Sequence, residues 1–118
     1  MRRRRSRLET CRIHPRVTVK DSEGTMMEEY QDAYEVEAET WPASGKVQAQ
    51  IYGERFSYVR NCRISGQYTI RSEDGRLIYI LDGGTLKEKD KLTTSQGEEY
   101  SVIAIRPYRE LYLEMEKL

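Results

Sequence analysis

The sequence predicts an all-β fold, a small antiparallel β-barrel or sandwich of about six to eight strands with a long internal loop. The clearest sign is the alternation over 110–116, where Leu or Met occupies every second position and Glu or Tyr112 the positions between. Such alternation places the two kinds of side chain on opposite faces of a strand. The predicted inward residues are Leu111, Leu113 and Met115, and the predicted outward residues are Glu110, Glu114 and Glu116. A hydrophobic fraction of 37% beside a charged fraction of 34% fits a fold in which only alternate strand residues face the core.

The length of 118 residues suits one domain, and we expect a single β-barrel domain over 1–118 with a basic N-terminal arm at 1–9. The formal net charge is zero, but residues 1–20 hold eight Arg or Lys and one Glu, whereas residues 21–41 hold eight Asp or Glu and no Arg or Lys. These opposite charges can pair within one subunit or between neighbouring copies. The overall balance argues against a protein that binds nucleic acid over its whole surface.

Several functional classes lack their sequence signals. No apolar run is long enough to span a membrane, and the Arg cluster at the start has no apolar segment after it, so no secretory signal is expected. Cys11 and Cys62 are too few and too far apart for a disulfide framework or a zinc site, and reduced thiols in the cytoplasm are expected. His14 has no second His beside it. We therefore predict a protein that is not an enzyme and that has no cofactor.

An acidic row is predicted near the start of the chain. A short strand at 17–19 and a turn at 21–24 precede residues 34–39, which alternate strictly. The predicted inward side chains are Tyr34, Val36 and Ala38, and the predicted outward row is Glu35, Glu37 and Glu39. Because no Asp-x-Asp-x-Asp-Gly loop is present, the row is interpreted as a solvated or interfacial face rather than a calcium site.

Residues 45–52 are predicted to form the next strand, with Val47, Ala49 and Ile51 facing inward after a break at Trp41. Basic and aromatic residues are then interleaved over 55–64. The candidate interaction residues in this segment are Arg55, Tyr58, Arg60 and Arg63. Such a segment can bind nucleic acid by charge and stacking. The favoured interpretation is a strand, a loop and a strand that carry ordinary surface arginines.

The second half of the chain is predicted to be a series of strands. A strand at 66–71 leads through a hairpin turn at 73–75 to a central strand at 76–81, which is apolar on both faces. The turn at 82–85 lacks the Lys-Ser/Thr ending of a phosphate loop. A charged link at 86–92 follows. The strand at 100–105 then leads to the closing strand.

The order of these features matches a pattern of segments over residues 34–118. Trp41 lies near the end of an early strand, and the strand Lys-Val-Gln-Ala-Gln-Ile follows at 46–51. An Arg/aromatic segment occupies 63–70, and a polar unit at 86–92 ends in Asp-Lys-Leu before the strand at 99–106. Pro107 then leads into a last strand rich in Leu and Glu. This order resembles the head–tail joining proteins of long-tailed bacteriophages, also called head-closure or stopper proteins, as carried by Bacillus-type prophages and defective phage-like elements.

The resemblance implies a non-enzymatic structural subunit that assembles as a homo-oligomeric ring beneath the portal and its adaptor. Such a ring joins head to tail, closes the head and helps to retain packaged DNA through a loop in the channel. The implied partners are the portal or adaptor ring and tail components, with no membrane involved. The implied location is the host cytoplasm during assembly and then the neck of the virion or phage-like particle. The alternative from the residues alone is a small β-barrel module that binds single-stranded nucleic acid.

Overall fold

The computed structural model describes residues 7–118, and these form eleven strands and one α-helix. The elements are β1 (Glu9–His14), β2 (Arg16–Lys20), β3 (Met26–Tyr30), β4 (Tyr34–Pro42), α1 (Gly45–Tyr52), a 3₁₀ helix (Gly53–Tyr58), β5 (Val59–Ile64), β6 (Thr69–Glu73), β7 (Arg76–Ile80), β8 (Thr85–Leu86), β9 (Lys91–Thr93), β10 (Glu99–Pro107) and β11 (Leu111–Lys117).

Six strands close into an antiparallel barrel, which confirms the predicted all-β fold. Their order is β1-β4-β5-β11-β10-β9, and β9 pairs back with β1 to complete the circle. Closure leaves no barrel edge open to another strand. The five remaining strands form two small sheets, the hairpin β2–β3 and the three-stranded sheet β6–β7–β8. The molecule measures 56 × 34 × 29 Å and its radius of gyration is 15.1 Å. A compact chain of this length would have a radius of gyration of about 13 Å, so the shape is elongated.

The core lies inside the barrel and contains the inward residues predicted for the last strand. Leu111, Leu113 and Met115 are all buried there. Other members come from every barrel strand and from β7 and β8: Cys11, Ile13, Ala38, Cys62, Ile64, Tyr79, Leu86, Leu92, Tyr100 and Val102. The alternation predicted for 34–39 is also observed, since Ala38 is buried, Tyr34 and Val36 pack against the core, and Glu35 and Glu37 are exposed.

The predicted strand at 45–52 is wrong, because these residues form α1. Val47 and Ile51 face solvent rather than the core. A strand here would need a barrel neighbour, but β4 pairs directly with β5 and leaves no place for one. Lys, Gln and Ala are also good helix formers. The alternating pattern fits a helix as well, since Val47 and Ile51 are four residues apart and share one helical face.

Glu114 lies on the outer face of β11 as predicted, but the expectation that it is exposed is wrong, because α1 buries it. Its carboxylate accepts hydrogen bonds from Gln48 and Arg106, which lie on α1 and β10. Glu110 and Glu116 are partly exposed, and each accepts hydrogen bonds from an arginine. The last strand therefore has one covered position on its otherwise charged face.

The three-stranded sheet bears out the predicted hairpin turn. Asp74 and Gly75 both have positive φ, at 52° and 76°, as a two-residue hairpin turn requires. β7 is the middle strand of this sheet. It is not covered on both faces, however, because Leu77 is exposed.

The first thirty residues carry more strand than the sequence predicts. The strands β1 and β3 were not predicted. Residues 1–6 of the expected basic arm lie outside the described residues. Arg7 pairs with Glu39, and Glu9 begins β1, so the expected arm cannot extend to residue 9.

Candidate interaction surfaces

The acidic row of β4 lies on the outer surface of the barrel. Glu35 is exposed and lies opposite Arg12 of β1 in the strand register. Glu37 accepts a hydrogen bond from Thr10, with 2.8 Å between the hydroxyl oxygen and Glu37 Oε1. Glu35 and Glu37 also line one side of an open groove between β4 and the turns that flank β6 and β7. These two carboxylates are the members of the row that solvent reaches most readily.

Glu39, the third member of the row, belongs to an ion-pair cluster centred on Arg63. The Arg63 guanidinium contacts Glu39 Oε1 at 3.3 Å and Glu110 Oε1 at 2.6 Å, and the Arg63 side chain is only 14% exposed. Burial alone would lower the pKa of Arg63, but the hydrogen bonds to the two carboxylates outweigh it and raise the pKa. The cluster joins β4, β5 and the corner before β11. Arg63 therefore links strands and presents little charge to a ligand.

Arg55 also has a carboxylate partner, although its pair is exposed. Nε and Nη2 of Arg55 donate to the two oxygens of Glu116 at 2.8 and 2.6 Å, a bidentate arrangement. These hydrogen bonds raise the pKa of Arg55 and lower that of Glu116. Because water and salt screen an exposed pair, its net effect on stability is small.

Tyr58 is exposed and Arg60 is half-buried in the basic and aromatic segment. Tyr58 ends the 3₁₀ helix with 57% of its surface exposed. Arg60 lies on β5 and donates to the Thr40 hydroxyl at 3.3 Å. The four residues predicted for this segment are thus distributed over a 3₁₀ helix and a barrel strand, and two of them are engaged by carboxylates.

A polar network that the sequence did not predict lies beneath α1. Gln48 Nε2 donates to Asn61 Oδ1 and Glu114 Oε2, each at 2.7 Å, and Arg106 Nη2 donates to Glu114 Oε1 at 2.6 Å. Burial alone would raise the pKa of Glu114, but these hydrogen bonds outweigh it and lower the pKa. Burial and the nearby Glu114 carboxylate also raise the pKa of Tyr52 to about 12. The network fastens the helix to the barrel through polar atoms.

An apolar groove opens beside this network. It has a volume of about 490 Å³, and its apolar lining includes Trp41, Val47, Ile51, Tyr108 and Tyr112. The Tyr112 ring makes edge-to-face contacts with Trp41 and Tyr108, with ring centroids 6.3 and 5.6 Å apart. The four-residue spacing of Val47 and Ile51 is a helical signal for this groove, but the same residues also fit the alternation on which the strand prediction was based.

The groups able to carry chemistry do not converge in the part of the chain that the structure describes. Within residues 7–118, no group of three or more His, Cys, Asp or Glu side chains could hold a metal ion. Cys11 and Cys62 are free thiols in the core, and burial raises the pKa of Cys11 to about 12. Burial lowers the pKa of His14, whose Nε2 lies 3.4 Å from the Thr93 hydroxyl. None of the helices in residues 7–118 has the length and apolar character needed to cross a membrane.

Comparison with known proteins gives a likeness of fold. The chain matches no protein-family model and no curated protein. It is similar to the solution structure of protein SF1141 from Shigella flexneri 2a, with a TM-score of 0.61 and 16% sequence identity. The match covers 94% of this chain and 93% of that one. The likeness therefore extends over nearly all of both chains and concerns the fold alone.

Proposed function

We propose that this protein is a structural subunit that joins the head of a phage-like particle to its tail, as a ring beneath the portal or adaptor. The observation that carries the proposal is that the closed barrel bears two small sheets whose apolar side chains are exposed. The exposed apolar residues of these sheets are Met26, Met27, Tyr30, Ile70 and Leu77. Several large apolar side chains exposed on projecting sheets favour a role in assembly.

The barrel itself supports the proposal in two ways. It is the architecture that the resemblance to head-closure proteins implies. Because the barrel strands form a closed circle, no barrel edge is available for strand pairing. A partner must therefore contact the side chains on the barrel surface or the two small sheets. The acidic Glu35 and Glu37 face then provides a charged surface for a portal or adaptor subunit with basic residues.

The nucleic-acid alternative receives less support from the same residues. Arg55 and Arg63 each bond to carboxylates, which reduces the charge they can offer to a phosphate backbone. Tyr58 and Arg60 remain as a stacking and charge pair, and this is a small footprint for a single-stranded nucleic-acid site. A DNA contact inside an assembled channel stays part of the proposal for the ring.

Co-purification tests the proposed function directly. The tagged full chain is mixed with portal and adaptor proteins encoded by the same genome, and the bound fraction is measured after affinity capture. We expect a stable complex that weakens when Glu35→Lys and Glu37→Lys are combined, because the charge of the outer face is reversed. Glu88→Lys, at an exposed position between β8 and β9, is the matched control and should bind normally. No binding of the unaltered chain would contradict the proposal.

A further inference from the structure

We propose that neighbouring copies of this chain contact one another through the hairpin β2–β3 of one copy and the apolar groove beside α1 of the next. This inference rests on the proposed function, because it names the contact between subunits of the ring. It is carried by two surfaces that each leave apolar side chains exposed in the single chain and that have charged residues of opposite sign nearby.

The first surface is the groove, where α1 turns its apolar side chains to solvent. Val47 is 70% exposed, Ile51 58% and Tyr108 61%, although all three line the same depression. A helix on a barrel ordinarily buries its apolar stripe against the core. Here the helix is held from its polar side by Gln48, which bonds to Asn61 and Glu114. The apolar stripe is therefore not used to attach the helix and is available to a partner.

The second surface is the β2–β3 hairpin, whose two strands pair only with each other among the described residues. Every residue of β3 is exposed. A two-stranded hairpin alone is only marginally stable in water, so this one gains from a covering surface. The register pairs Val19 with Met27 and Val17 with Glu29. Directly paired residues share a face, so one face of the hairpin carries three apolar side chains and one carboxylate.

The chemistry of the two surfaces is complementary. Met27 is 46% exposed, and its flexible thioether suits an aromatic cleft such as the one formed by Trp41, Tyr108 and Tyr112. A strand of five residues spans about 17 Å, which is enough to reach across a groove on an adjacent barrel. The hairpin can therefore place an apolar side chain in the cleft while its base remains on its own barrel.

The charges near the two surfaces also favour this contact. Residues 21–32, which include the turn and β3, contain five Asp or Glu and no Arg or Lys. Glu28 forms an ion pair with Arg16 of its own hairpin, whereas Glu29 lies on the same face as Met27. Next to the groove residues Val47 and Tyr108 in the chain are Lys46 and Arg109, both exposed. Over the whole hairpin, residues 16–30, four Asp or Glu stand against Arg16 and Lys20, and the acidic residues lie in the turn and β3. In the proposed contact this acidic part would meet Lys46 and Arg109.

The proposed contact joins two different surfaces, so it repeats from one copy to the next. Head-to-tail contacts of this kind close into rings when the rotation between copies permits.

Directed cross-linking tests the contact. One preparation carries Met27→Cys, a second carries Val47→Cys, and the two are mixed with a short thiol cross-linker, both free and bound to the portal complex. The native Cys11 and Cys62 are buried and should not compete. A preparation with Leu77→Cys, exposed on the other small sheet, replaces Met27→Cys as the matched control. We expect roughly tenfold more cross-linked dimer with Met27→Cys than with Leu77→Cys, because a specific contact raises the local concentration of the two thiols.

A charge exchange supplies the second measurement. Glu29→Lys should reduce the cross-link yield several-fold, and combining it with Lys46→Glu in the partner preparation should restore the yield. Circular dichroism checks that each variant remains folded.

The contact is wrong if the Met27→Cys and Leu77→Cys yields are equal in both states, or if Val47→Cys cross-links to portal or adaptor chains instead of to another copy. If either happens while the unaltered chain still binds the portal complex, the contact is contradicted and the proposed function is still supported. If the unaltered chain also fails to bind, both fall.

Discussion

The backbone N–H of Arg16 donates to the buried carboxylate of Asp90, with 2.8 Å between Arg16 N and Asp90 Oδ1. The same carboxylate accepts the backbone N–H of Lys87 at 3.0 Å and the Lys87 ammonium at 2.8 Å. Arg16 begins the β2–β3 hairpin, and Asp90 precedes β9 of the barrel. One side chain that is fully buried thus fixes the base of the projecting hairpin to the barrel.

Removal of this carboxylate should destabilise the protein and loosen the hairpin. Asp90→Ala is expected to lower the free energy of unfolding by about 3 kcal/mol, because it leaves two backbone N–H groups without their acceptor and the Lys87 ammonium with only the Arg16 carbonyl. Urea denaturation measures the change. Asp82→Ala, at an exposed position, should change the free energy of unfolding by less than about 0.5 kcal/mol. Equal effects of the two substitutions would remove Asp90 from this role.

The turn before β8 should not tolerate a side chain at Gly84. A Cβ added there would lie 2.6 Å from Cδ1 and Cε1 of the Tyr34 ring, whose hydroxyl donates to the Thr85 carbonyl at 2.6 Å. Gly84→Ala is therefore expected to lower the free energy of unfolding by about 1–3 kcal/mol. Gly83→Ala is the matched comparison, since its Cβ would meet Tyr34 Cδ2 at 3.0 Å. Thermal unfolding should rank Gly84→Ala as the less stable variant, and the reverse order would contradict the packing described here.

Glu114 should make stability depend on pH in the acidic range. Its pKa is lowered in the folded protein, so the folded state favours the ionised form. The resulting stabilisation is complete above the pKa of the unfolded chain, about 4.3, and is lost as pH falls through the lower folded pKa. We expect Glu114→Gln to flatten the decline of unfolding free energy below about pH 4.

The matched comparison for this pH experiment is Glu116→Gln. Glu116 also has a lowered pKa, through its hydrogen bonds with Arg55, but that pair is exposed and screened by solvent. Glu116→Gln should therefore alter the decline of unfolding free energy at acid pH less than Glu114→Gln does. If Glu114→Gln leaves that decline unchanged, the polar network beneath α1 does not stabilise the fold as described.

Single-stranded DNA binding should not depend on the basic and aromatic segment. Tyr58→Ala and Arg60→Ala are each expected to change the affinity for a single-stranded oligonucleotide at low salt by less than about twofold. Because Arg55 and Arg63 are already bonded to carboxylates, Tyr58 and Arg60 alone form too small a footprint for strong binding. Fluorescence anisotropy measures the affinity. A collapse of strong binding in either variant would favour the nucleic-acid module instead.

The sequence predicted the parts of the fold that depend on neighbouring residues. Alternation alone identified Leu111, Leu113 and Met115 as core residues, and the Asp74–Gly75 pair marked a hairpin turn. Both signals are local, because strand faces and turn conformations follow from adjacent residues.

The errors occurred where a remote partner decides the outcome. Val47 and Ile51 fit either a strand or a helix by spacing, and only the direct pairing of β4 with β5 excludes the strand. Local alternation assigns Glu114 to a solvated row, because Gln48, the hydrogen-bond partner that covers it, lies 66 residues away in the sequence. The sequence identified the acidic row, whereas the groove beside α1 could be recognised only after the helix was known.

Electron microscopy of the chain bound to its portal complex tests the central claim most directly. We expect a closed ring of identical subunits on the tail-facing side of the portal or adaptor, with one barrel in each subunit. A single bound copy, scattered binding without a ring, or a portal complex that never carries this chain would contradict the account.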